Sequence, residues 1–122
     1  MRTVFHVSTV DQLSYVDAKV RNLLGDDTVS VTSVAVVVDS PAVIDAAAED
    51  EGRERVEAVL AAGESEDGAA GEDADTAFRV CSNALRGATA TLDDLPAGVE
   101  SASSGVGELT RLQGDGWAYI RP

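Results

Sequence analysis

The sequence feature that most constrains the fold is the apolar run in residues 29–38, VSVTSVAVVV, which is dominated by β-branched side chains. Its last part, from Ala35 to Val38, contains four apolar residues without a polar interruption. An unbroken run of this kind favours a strand buried on both faces, as in a parallel sheet, over a half-solvated hairpin strand. We therefore expect other elements of the chain to cover both faces of a sheet.

A strand and an amphipathic helix precede this run. Residues 3–7 form a short apolar stretch, and residues 10–24 then carry large apolar side chains at spacings of three and four. Ser8 or Thr9 can cap the helix, because a hydroxyl oxygen at this position accepts a hydrogen bond from the first turn. Strand, helix and buried strand together form a βαβ unit.

The remaining segments continue the alternation of strands and helices. Strands are predicted at residues 77–81, 98–102 and 117–120, and helices at residues 53–62 and 106–112, with shorter helical turns near residues 84–85 and 92–95. This order predicts an open, mostly parallel sheet of about five strands with helices on both faces, which is a three-layer α/β/α fold. At 122 residues, the chain is expected to form a single domain over residues 1–122.

The charge of the chain excludes several classes of partner. The formal net charge is -13, and Lys19 is the only lysine among nine basic residues. Attraction to nucleic acid or to an anionic membrane needs a basic patch, so neither partner is expected. With no long apolar run and one cysteine, we expect a soluble, cytoplasmic protein without disulfides. The composition resembles that of proteins from salt-loving archaea.

Most of the excess negative charge lies in an acidic insertion or loop at about residues 45–76. Twelve acids fall between Asp45 and Asp75, against Arg53 and Arg55. Residues 63–75 contain only small, glycine and acidic residues apart from one serine, with no apolar periodicity. This composition is typical of a solvated or disordered loop.

Cys81 is the strongest candidate for a functional residue. It lies where a predicted strand ends and a helical stretch begins, in the run FRVCSNALRG. Ligands of parallel sheets bind outside the carboxyl ends of the strands, and a helix N-terminus favours a thiolate. Ser82, Asn83 and Arg86 are near enough in sequence to support such a thiolate. The alternative is that Cys81 fills the core as a small apolar residue.

Other candidate sites are weaker. His6, the only histidine, lies inside the first predicted strand, and we expect it to be hydrogen-bonded and partly buried, or at a subunit contact, more often than to act as a base. One histidine and one cysteine do not make a tetrahedral zinc site, so no metal is expected, and no cofactor motif is complete. The glycines of the GVG run at residues 105–107 suit an anion-binding backbone, but they suit a turn equally well.

The motif Cys81-Ser82-Asn83-Ala84-Leu85-Arg86-Gly87 resembles the cysteine motif of the DsrE/DsrF-like family, C-x-x-A-L followed by basic and glycine residues. Further segments are similar to members of that family in the same order: NLL with two aspartates at residues 22–27, DLP at 94–96, GVGEL at 105–109 and GWAYIRP at 116–122. The chain departs from the family where a glycine commonly ends the second strand, since DSP stands there at residues 39–41.

The resemblance implies a three-layer fold with flavodoxin-like layering, assembly into trimers or hexamers, and a cysteine that carries a persulfide in a sulfur relay. Only Cys81 inherits that role in this chain. The first functional hypothesis is therefore a sulfur carrier or sulfurtransferase-like protein that exchanges sulfur with a partner protein. The alternative is a non-enzymatic oligomeric module that binds a ligand or a protein and in which Cys81 is structural. Whether the first function is enzymatic is left open, because a carrier is regenerated by its partners.

Overall fold

The computed structural model describes residues 1–64 and 74–122. Five strands form one parallel sheet in the order β4-β3-β2-β1-β5. The elements are β1 Arg2–Val7, α1 Val10–Leu24, β2 Ser33–Val38, α2 Pro41–Ala47, α3 Asp50–Ala62, β3 Asp75–Cys81, α4 Ser82–Gly87, a 3₁₀ turn Leu92–Asp94, β4 Glu100–Ala102, α5 Gly105–Gly114 and β5 Ala118–Ile120. The predicted α/β fold with a parallel sheet is confirmed.

Two apolar clusters cover the two faces of the sheet. The larger one joins Phe5, Val36 and Phe78 of the sheet to the inner faces of α1, α2 and α3. The smaller one packs Val37 against Leu109 of α5. The central strand β2 is buried along its length, as its unbroken apolar run predicts. In the described part of the chain, α5 is the helix that covers this second face.

The ends of the helices follow ordinary capping rules. Thr9 caps α1 in a capping box, because its hydroxyl accepts from the Gln12 backbone N–H while the Gln12 side chain accepts from the Thr9 backbone N–H. Ser104 caps α5 in the same position and accepts from the Gly107 N–H. These caps fix where α1 and α5 begin, at the carboxyl ends of β1 and β4.

The segment after β2 differs from the sequence-based prediction. Helix α2 was not predicted from the sequence, because the second strand was predicted to end at Pro41. Proline also suits the first position of a helix, since the N–H that it lacks would have no partner within the helix there. The helix predicted at residues 53–62 within the acidic segment is confirmed as α3, Asp50–Ala62. Strand β2 begins at Ser33 rather than at residue 29. The predicted loop at residues 63–75 falls largely on residues 65–73, which lie outside the described residues.

Helices α2 and α3 approach each other closely at Gly52. A Cβ atom at this position would lie 1.9 Å from the backbone oxygen of Ala46. Only glycine can occupy such a position without a shift of one helix. The carboxylate of Asp45 accepts hydrogen bonds from the backbone N–H groups of Thr89 and Ala90, which ties the end of α2 to the loop after α4.

No helix in residues 1–64 and 74–122 is long and apolar enough to cross a membrane.

Candidate functional site

The carboxyl ends of the strands meet at one edge of the sheet, because all five strands run in the same direction. Strands β2 and β3 pair in register at Val38 and Val80, so the next residues, Asp39 and Cys81, are neighbours across the two strands. The loops and helices that begin at this edge include the starts of α1, α4 and α5. Such an edge is where ligands of open parallel sheets bind.

Cys81 is the last residue of β3 and directly precedes α4. It is 7% exposed and belongs to the larger apolar cluster together with Val80 and Ala84. Gly105 of α5 lies close to Cys81 and Asp39. A Cβ atom added at Gly105 would be 3.4 Å from the Cβ atom of Cys81 and 3.0 Å from the Cβ atom of Asp39. Cys81 therefore lies between the apolar core and the first turn of α5, with Asp39 at its side.

An ion-pair network holds α5 against β3 near this cysteine. Glu108 of α5 is buried, and its Oε2 atom accepts from the Arg79 guanidinium at 2.6 Å. Its other oxygen is paired with Arg111 of the same helix. Glu100 of β4 lies 3.4 Å from Arg79. Because Arg79 is two residues before Cys81 on the same strand, this network fixes the start of α5 next to the thiol.

A second cluster of polar side chains surrounds His6 on the same edge of the sheet. His6 is 9% exposed and lies one residue before the end of β1. Its Nε2 atom is 2.7 Å from Oδ2 of Asp39 and 3.1 Å from Oγ of Ser8. Its Nδ1 atom is 2.5 Å from the hydroxyl of Tyr119 and 3.1 Å from the Arg121 guanidinium. We call His6, Asp39 and Tyr119 the histidine cluster.

The partners of His6 determine which ring nitrogen carries the proton. An ionised carboxylate only accepts hydrogen bonds, so Nε2 donates to Asp39. A neutral ring then accepts at Nδ1, where the Tyr119 hydroxyl donates. The Tyr119 oxygen in turn lies 3.2 Å from the Arg121 guanidinium, which donates to it. The bonds therefore run in one direction, from Arg121 through Tyr119 and His6 to Asp39.

The residues predicted to support Cys81 lie on α4. Ser82 begins this helix and is half-buried, whereas Asn83 and Arg86 are exposed. The Arg86 guanidinium donates to the Asn83 side chain one turn earlier, so these two residues are paired with each other. For His6 the sequence predicts a hydrogen-bonded, partly buried residue or a subunit contact, and in the structure His6 is hydrogen-bonded and 9% exposed.

Sequence reasoning did not identify the histidine cluster as a unit. Tyr119 is 113 positions from His6 in the sequence, and Asp39 is 33 positions away. The three residues lie together because β1 is between β2 and β5 in the sheet. This strand order is not encoded in any local sequence motif. The one available signal was that Asp39 follows a buried strand directly and that His6 is near the end of another.

A cleft of about 500 Å³ lies elsewhere, between the first turn of α1 and the junction of α2 with α3. Its lining includes Val10, Leu13 and the acids Glu49, Asp50 and Glu51. It contains neither Cys81 nor a member of the histidine cluster. In the described part of the chain, no three His, Cys, Asp or Glu side chains are grouped so as to hold a metal ion.

Comparison with solved structures gives a relationship that the family-level and curated comparisons do not. No family model matches the chain, and no curated protein matches it. Among solved structures, the chain is similar to MTH1491, described as a protein of unknown function from Methanobacterium thermoautotrophicum. The two chains share 35% sequence identity over 99% of this chain and 98% of that chain, with a TM-score of 0.76. The protein thus belongs to the same family as MTH1491.

Proposed function

We propose that the protein is a DsrE/DsrF-like sulfur carrier that holds a persulfide on Cys81. It would act as a homo-oligomer, a trimer or a hexamer, and exchange sulfur with a partner carrier protein. The proposal joins the motif around Cys81 to the position of that residue at the carboxyl edge of the sheet. It needs neither a metal nor a second cysteine in the same chain.

The chemistry of loading is a thiol–persulfide exchange. The Cys81 thiolate attacks the outer sulfur of a donor hydropersulfide, R–S–SH, and the S–S bond of the donor breaks. The products are the Cys81 persulfide and the thiolate RS⁻, which takes up a proton from solvent. No oxidant is consumed, because the sulfane sulfur moves between two thiols.

The observation that carries the proposal is that the Cβ atom of Cys81 lies close to the first turn of α5. The N–H groups of Gly105 and Val106 precede the first hydrogen bond within this helix and, together with the helix dipole, favour an anion nearby. Gly105 has no side chain, so this turn reaches the Cβ atoms of Cys81 and Asp39. Under this proposal, that end of the helix favours a thiolate or a persulfide anion on Cys81.

The second candidate function is supported by the burial of the same residue. At 7% exposure and within the larger apolar cluster, Cys81 also has the surroundings of a packing residue. Under this alternative the protein is a non-enzymatic binding module, and the Cys81→Ser variant keeps its assembly and its binding.

The two functions are separated by loading the folded protein with a persulfide donor. Wild-type protein is expected to gain the mass of one sulfur atom on the peptide that contains Cys81. Cys81→Ser is expected to gain none while keeping the wild-type circular dichroism spectrum, because serine removes the nucleophile but little volume. Wild-type protein that stays folded and gains no sulfur would contradict the carrier function and leave the binding module.

A further inference from the structure

The carboxylate of Asp39 presents an electrostatic problem for a thiolate on Cys81. Asp39 and Cys81 are neighbours across β2 and β3, and the Cβ atoms of both residues lie close to Gly105. Like charges that lie close together oppose each other, and partly buried charges are poorly screened by salt. Asp39 is only partly exposed, with 27% of its side chain accessible. A bare carboxylate at this position therefore reduces, without cancelling, the stabilisation that the first turn of α5 gives to a thiolate.

We propose that His6 is a positioning residue that controls the charge next to Cys81 through its bond to Asp39. This inference rests on the proposed function of Cys81 and deepens it. When His6 is neutral, the pair of His6 and Asp39 carries one negative charge, which opposes a thiolate. When His6 takes up a proton from solvent, the pair becomes neutral overall, and the first turn of α5 acts on the sulfur without opposition.

The surroundings of His6 provide the other groups that act on this equilibrium. Asp39, from the end of β2, lies 2.7 Å from Nε2. Arg121, which follows β5, lies 3.1 Å from Nδ1. Tyr119 donates to Nδ1 of the neutral ring, and its hydroxyl must turn round to accept when that nitrogen is protonated. From the α5 side, Arg79 and Glu108 are paired with each other.

The geometry makes Tyr119 the second positioning residue. Its hydroxyl approaches His6 at 2.5 Å and is held on its other side by Arg121 at 3.2 Å. The ring of Tyr119 lies at a tilt against the imidazole, with the centroids 5.6 Å apart. These contacts keep Nδ1 as the acceptor and Nε2 as the donor, which directs the N–H of His6 to Asp39.

The test is the alkylation rate of Cys81 by iodoacetamide, a neutral reagent, measured from mildly acidic to alkaline pH at a KCl concentration that keeps every variant folded. Asp39→Asn removes the charge and keeps an acceptor for His6, so the thiolate fraction increases and the rate is expected to rise about threefold or more at pH values where the Cys81 thiol of wild type is only partly ionised. His6→Gln removes the ring that takes up a proton, so no positive charge forms beside Asp39. Its rate is expected to equal that of wild type at alkaline pH and to fall below it at acidic pH, because the protonated ring is lost.

Matched tyrosine variants separate the role of the cluster from a general effect on the fold. Tyr119→Phe is expected to change the pH profile, whereas Tyr15→Phe, at an exposed position on α1, is expected to reproduce the wild-type profile. An Asp39→Asn rate equal to or below that of wild type at pH values where the thiol is only partly ionised, or a His6→Gln profile identical to wild type, would overturn the inference. If wild type takes up sulfur and the variants keep the wild-type pH profile of alkylation, only the role of His6 is refuted. If the variants show the predicted pH profiles and wild type takes up no sulfur, only the carrier function is refuted.

Discussion

Transfer of the protein from molar KCl to dilute buffer is expected to lower its melting temperature by roughly 10 °C or more. The physical reason is its net charge of -13, with acids outnumbering bases 22 to 9. The Debye length grows from about 3 Å at 1 M salt to about 30 Å at 0.01 M, so the acids repel one another over much longer distances in dilute buffer. This repulsion acts on the compact state more than on the unfolded chain.

A variant with fewer acids on one helix provides the matched control. Glu54 and Glu57 are both exposed on α3 and are three residues apart, where like charges are unfavourable neighbours. The double variant Glu54→Gln/Glu57→Gln is expected to raise the melting temperature in dilute buffer and to change it much less in molar KCl. Thermal unfolding followed by circular dichroism measures both effects. A wild-type melting temperature that is equal in dilute buffer and in molar KCl would contradict the electrostatic explanation.

The Gly52→Ala substitution is expected to destabilise the fold by about 2–3 kcal/mol, although alanine is the better helix former. Gly52 lies in the first turn of α3, where helix propensity alone predicts a gain of up to about 1 kcal/mol. A methyl group there would come within 1.9 Å of the Ala46 backbone oxygen and within 2.6 Å of its carbonyl carbon. Backbone atoms cannot rotate away as a side chain can, so α2 and α3 must separate.

The control for this substitution is Gly114→Ala at the end of α5. A Cβ atom at Gly114 would have no neighbour within 4 Å, so only helix propensity acts there. Its free energy of unfolding is expected to equal or slightly exceed that of wild type. Urea unfolding in molar KCl measures both variants. If Gly52→Ala were as stable as Gly114→Ala, the close approach of α2 and α3 would not constrain the fold.

The strands could be predicted from the sequence because each is encoded locally. The run from Ala35 to Val38 is apolar without interruption, and it forms the buried centre of the sheet. Helix α1 follows the spacing of its apolar residues and begins after Thr9. Helix α2 could not be predicted because it has only seven residues and starts with proline. Proline occurs both after the end of a strand and at the start of a helix. Short elements carry too few periodic residues to outweigh such an ambiguity.

The site could be predicted only in part, for a different reason. Cys81 was identifiable because its strand–helix junction and its motif are both local. Its neighbours in the fold, Asp39 and Gly105, come from β2 and α5 and lie near Cys81 only in the folded sheet. His6 and Tyr119 extend this set across β1 and β5. The order of the strands, which local patterns do not encode, brings these four residues to one edge.

The proposed function depends most on whether Cys81 is a reactive thiol or a packing residue. The direct measurement is the rate of its alkylation by iodoacetamide at neutral pH, compared between the folded protein in molar KCl and the same chain unfolded in urea. If the first turn of α5 stabilises the thiolate, the folded protein reacts faster than the unfolded chain despite the burial of Cys81. A folded protein that protects Cys81, reacting much more slowly than the unfolded chain, would contradict this account and identify the thiol as part of the core.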